Sequence, residues 1–144
     1  MLYFIKNTYL HFKLLIKKTF MRNLNNDELI YYAATTMVLI DGDYDHNEVK
    51  AVLDVVSAFT SSGFDGIDTD QISNWAIEDL NSMGAEGPAK VVKYNLTKAD
   101  ATIQRNICIA LAKVALADDH VADEESVFFT DCLEIAGLTI DDLK

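Results

Sequence analysis

From residue 26 onward the apolar positions recur every three to four residues, the spacing of a helix with one buried face. Leu29, Ile30, Ala33, Ala34, Met37 and Val38 predict a helix over 27–40, with Asn25 or Asn26 as its N-cap. The run breaks at the Asp-Gly-Asp-Tyr-Asp stretch of 41–45, which reads as a loop. Asp45 and Glu48 have capping-box spacing and open a second helix, with Val49, Val52, Leu53, Val56 and Phe59 as its buried face and an end near 61–63. Asp68 and Gln71 open a third, through Ile72, Trp75, Ala76, Ile77 and Leu80, that stops at Met83 and Gly84.

Pro88 fits the first turn of a short fourth helix reaching Leu96. Thr97 reads as the cap of a fifth, whose Ile103, Ile107, Ala110, Leu111, Val114 and Ala115 form a broad stripe of the kind expected in a central buried helix. A second short polar loop, 118–122, leads to a sixth helix over 123–136 that ends at Gly137 and is followed by a capped turn from Thr139. No stretch alternates with the period of a strand. Residues 25–144 are therefore predicted to be an all-α domain, a compact bundle of six or seven helices.

The first 24 residues follow a different pattern. Ile5, Tyr9, Phe12, Ile16 and Phe20 fall on one helical stripe with Lys6, Lys13 and Lys17 beside it. The lysines interrupt the apolar run too often for an ordinary membrane-spanning helix. They are spread along the segment rather than placed before an unbroken apolar core, which argues against a secretory signal. Three readings stay open: an amphipathic helix on an anionic membrane surface through residues 1–22, a helix that covers an apolar groove on the domain, or a chain whose natural start is Met21.

Charge sharpens the division. The 144 residues carry 12 bases against 23 acids, a net of −11, which argues against a nucleic-acid partner. Residues 1–26 hold five of those bases and no acid, so the leader is +5 and the remaining 7 bases and 23 acids make the body −16. Half the residues are hydrophobic, and one Pro and six Gly leave little turn material for an all-β fold. Cys108 and Cys132 are too few and too far apart for a CxxC or zinc-knuckle motif and read as buried thiols of a reducing compartment, with a nucleophile as the alternative. The expected location is the cytoplasm, with a peripheral position at the inner face of the membrane if the leader binds lipid.

The two short loops match each other. Asp41-Gly42-Asp43-Tyr44-Asp45-His46-Asn47-Glu48 lies over Asp118-Asp119-His120-Val121-Ala122-Asp123-Glu124-Glu125: an Asp after an apolar helix, an apolar residue three later and a Glu seven later. Such recurrence predicts two pseudo-symmetric helix-loop-helix halves. Tyr44 and Val121 would plug their loops onto the core and leave the carboxylates facing outward, where the leading Asp and the Glu converge. Carboxylates crowded in this way repel one another, and a hard divalent cation relieves the repulsion. Calcium or magnesium suits the oxygen donors better than zinc, for which only His46 and His120 lie near. Ordinary helix capping explains much of the same pattern, though not the leading Asp. An EF-hand is excluded, because His46 replaces the turn glycine and Val52 stands where the bidentate Glu belongs.

On these loops the chain resembles the tellurite-resistance TerB proteins and the wider TerB-like domain, whose hallmark is an Asp-Gly-x-apolar-x-x-x-Glu loop repeated in each half of an all-α fold. The first loop keeps the pattern fully, and the second departs from it where Asp119 replaces glycine. The Phe64-Asp65 region and the closing stretch 136–143 are similar to the family as well. The resemblance implies a divalent-metal site with Asp41 and Glu48 from the first loop and Asp118 and Glu125 from the second; Asp43 is a further candidate ligand by position. It also implies a role in stress response or tellurite resistance with protein partners, a membrane protein among them.

No nucleophile-base pair, Walker loop, dinucleotide turn or HExxH is present. The expectation is a non-enzymatic metal-binding interaction module. The alternatives are an acidic helical adaptor whose loops are only caps, and a metal-dependent hydrolase.

Overall fold

A computed structural model describes residues 21–40, 46–60, 67–116 and 123–144, the first four residues of the second stretch by their backbone alone. These residues form an all-α bundle: α1 (Asn26–Leu39), α2 (His46–Phe59), α3 (Thr69–Met83), α4 (Gly87–Lys98), α5 (Ala101–Leu116) and α6 (Asp123–Ala136), followed by a 3₁₀ turn (Ile140–Leu143). No strand occurs among the described residues. Residues 1–20, the loops 41–45 and 117–122, and the 61–66 stretch containing Phe64 and Asp65 lie outside them.

Local signals in the sequence account for most of the helix ends. Asn25 caps α1 by accepting from the Glu28 amide at 2.8 Å while Glu28 accepts from the Asn25 amide at 2.9 Å, a complete capping box. Asp68 accepts from the Gln71 amide at the start of α3. Gly137 (φ 68°) ends α6 in the left-handed conformation, and the Leu138 amide reaches back to the Leu133 carbonyl at 3.0 Å. Thr139 and Asp142 cap each other across the final turn. Thr97, by contrast, is not a cap: it lies inside α4 and its hydroxyl donates to the Tyr94 carbonyl. The helix runs on to Lys98, and Asp100 opens α5 by accepting from the Ile103 amide at 2.9 Å. Ser, Thr and Asp can all cap, and only tertiary packing decides between these two neighbours.

The central helix is α1, not α5. It packs against α2, α3, α4 and α5, and its buried residues, from Leu29 to Val38, lie all around it. α5 contributes Ile107, Cys108, Ala110, Leu111, Val114 and Ala115 to the same core, packing on α1, α2 and α6. In α2 the inner face is Val52, Val55 and Val56; Leu53 is 42% exposed because it sits at the edge of that stripe. In α3, Ile77 likewise stands outward at 45% exposure, while Asp79 is buried in register with Ile72 and Ala76. α3 and α4 approach closely at Gly87, where a Cβ would lie 2.4 Å from the Asp79 carbonyl oxygen. No described helix is long and apolar enough to cross a membrane.

Candidate functional site

The two acidic loops connect α1 to α2 and α5 to α6, and the two helix pairs meet through contacts of α5 with α1 and α2. Of the candidate ligands, Asp41, Asp43 and Asp118 lie outside the described residues, and Glu48 is placed by its backbone only, in the first turn of α2. Glu125 alone has a described side chain, and it is wholly buried in the first turn of α6. The expectation of outward-facing carboxylates fails there. The buried positions of α6 are Glu125, Phe128, Cys132 and Leu133, so helical periodicity puts Glu125 on the inner stripe. Its neighbours Asp123 and Glu124 face solvent. Among the described residues no group of three or more His, Cys, Asp or Glu side chains is arranged to hold a metal.

What the structure does bring together is the flanks of the loops. Ile40, the last residue before the first loop, lines one open groove with Asp123 and Glu124, which follow the second. The groove has a volume of about 390 Å³ and is bounded further by Glu86, which precedes α4, by Ala89 and Lys93 of α4, and by Val127, Phe128 and Asp131 of α6. Its floor is apolar, and Val127 is 61% exposed. Four carboxylates and one ammonium stand around it, with Lys93 paired to Asp131 at 3.3 Å. Sequence reasoning misses Glu86, Lys93 and Asp131 as groove residues, since nothing local says that α4 and α6 are neighbours.

A second polar cluster lies at the root of the leader. Asp79 accepts from the Tyr32 hydroxyl at 2.6 Å and from both Nε and Nη2 of Arg22 at 3.0 Å. Arg22 also stacks over Trp75 at 4.9 Å and reaches Glu78 at 3.3 Å. Asn95 accepts from the Leu24 amide and donates to the carbonyls of Arg22 and Val91. Residues 22–24 are thereby bound to α3 and α4. The Asp79 hydrogen bond raises the Arg22 pKa, while burial, with Asp79 in support, pushes the Tyr32 hydroxyl far above its ordinary range. The signal for this cluster is present in the sequence as an acid on the apolar stripe of α3.

Cys108 and Cys132 are both fully buried. Burial raises Cys108 to about 11 and Cys132 further, so both are held as neutral thiols, which a nucleophilic role does not favour. No family model, curated protein or solved structure matches the chain.

Proposed function

We propose that the chain is a non-enzymatic module of the TerB-like kind, binding calcium or magnesium through its two acidic loops and acting through a protein partner in stress or tellurite resistance. The observation that carries this reading is the shared groove: Ile40, which precedes the first loop, and the Asp123–Glu124 pair, which follows the second, border one space, so one flank of each loop lies at the same place on the bundle. Asp41, Asp43, Glu48, Asp118 and Glu125 offer only carboxylate oxygens, the donor set of a hard cation. Once bound, the cation supplies positive charge that offsets carboxylate repulsion in a strongly acidic body, changing the surface that a partner meets.

Calorimetric titration with calcium and with magnesium, comparing the wild type with an Asp41→Ala, Glu48→Ala double variant, tests the reading. Binding heat should be lost in the variant; equal heats and affinities would overturn the proposal. One observation favours the second reading, an acidic adaptor without metal: Glu125 lies on the inner stripe of α6, as a structural residue would. In that case chelator leaves the melting temperature unchanged, whereas a cation at 100 times its Kd adds about 2.7 kcal/mol.

A further inference from the structure

The groove between α4 and α6 has an apolar floor and a rim of Glu86, Asp123, Glu124 and Asp131 against the single Lys93, a net of −3. An occupant that suits it has an apolar stripe flanked by cations. Residues 1–20 have that composition: Ile5, Tyr9, Phe12, Ile16 and Phe20 along one face, four lysines and no acid. Arg22 is bound to Asp79, whose carbonyl faces Gly87, and the adjoining Ala85 and Glu86 line the groove. A second apolar groove among the described residues, between α1, α2 and α3 around Val38, Val52 and Ile77, has no charged residue in its lining and would leave the lysines unpaired.

We propose that residues 1–20 of this chain are the ligand of the α4–α6 groove, seated in cis with their apolar stripe over Ala89, Val127 and Phe128 and their lysines against the acidic rim. This inference stands on the groove and the leader and is independent of cation binding, so it is tested in chelator. The full chain is compared with a Val127→Asp variant, whose exposed position spares the core, and with a Lys13→Glu, Lys17→Glu variant; unchanged far-UV circular dichroism confirms the fold of each.

Trypsin should cleave after Lys13 and Lys17 about tenfold faster in Val127→Asp than in the wild type, the factor equivalent to about 1.4 kcal/mol of docking. In ¹⁵N-labelled protein the leader variant should move the amide resonances of residues 85–93 and 123–131. Equal cleavage rates, or unmoved groove resonances, overturn the proposal. So do resonance changes confined to α1, α2 and α3, and groove shifts in the wild type that disappear on dilution of a dimer, which would assign the leader to a second copy. Leader resonances that respond only to phosphatidylglycerol vesicles would assign it to a membrane surface and overturn the proposal equally.

Discussion

Replacing Asp79 by alanine removes the acceptor shared by Tyr32 and Arg22. Tyr32 is 0% exposed, so its hydroxyl would be left without that acceptor in the interior, at a cost of about 1–3 kcal/mol. The Arg22 side chain is 25% exposed and regains water, so its share is discounted to about 1 kcal/mol. The total is about 3 kcal/mol, a large part of the stability of a domain this size. With an unfolding entropy of roughly 2.1 cal/mol/K per residue, the melting temperature should fall by about 10 °C. Tyr32→Phe alone should cost about 1 kcal/mol, and almost nothing once Asp79 is alanine, giving a coupling of about 1 kcal/mol in the double-mutant cycle. Urea unfolding followed by circular dichroism and by the fluorescence of Trp75 measures each value. If Asp79→Ala shifts stability by less than about 0.5 kcal/mol, or Tyr32→Phe costs the same in both backgrounds, the cluster does not stabilise the fold as argued.

Two further outcomes are expected. Unfolded thiols ionise near pH 8.5, roughly the free cysteine value, whereas Cys108 stays protonated to about 11 and Cys132 beyond. The unfolded chain therefore sheds protons first. Stability should hold below about pH 8 and decline from there toward pH 11, by up to about 1.4 kcal/mol per pH unit for each thiol. A Cys108→Ala, Cys132→Ala variant should show a shallower pH slope, and an identical slope in urea titrations would remove the thiols from the explanation. At the start of α5, Asp100→Ala should cost about 1 kcal/mol, while Thr97→Ala stays within about 0.5 kcal/mol; thermal melts showing the reverse order would restore Thr97 as the cap.

Features fixed by neighbours along the chain are legible in the sequence alone. The Asn25–Glu28 box, the stop at Gly137 and the Thr139–Asp142 turn each satisfy their backbone groups locally, and each stands where its residue pattern predicts. Features fixed by partners far along the chain are not legible in this way. Leu53 and Ile77 have the hydropathy of core residues but lie at the edges of their helical faces, and Asp79 is buried because Arg22 and Tyr32 reach it across 57 and 47 residues. The central place of α1 escapes a reading of periodicity because a helix buried on every side has no amphipathic signature. At the candidate site, the acidic residues are visible as a repeat, yet the groove that joins their flanks depends on α4 lying beside α6.

The position of α1 also governs the order in which the protein can assemble as it is synthesised. Residues 26–39 leave the ribosome ahead of nearly everything they pack against, and α5, which covers one side of them, is complete only at Leu116. Until then the nascent chain carries Leu29, Ile30, Tyr32, Met37 and Val38 without their full native cover, and a helix of 14 residues has little stability of its own. Synthesis at about 5–20 residues per second makes that interval several seconds or longer. This protein cannot consolidate its core from α1 forward; the core closes after most of the body has been made, and among the described helices α1 is the segment that cotranslational chaperones have longest to hold.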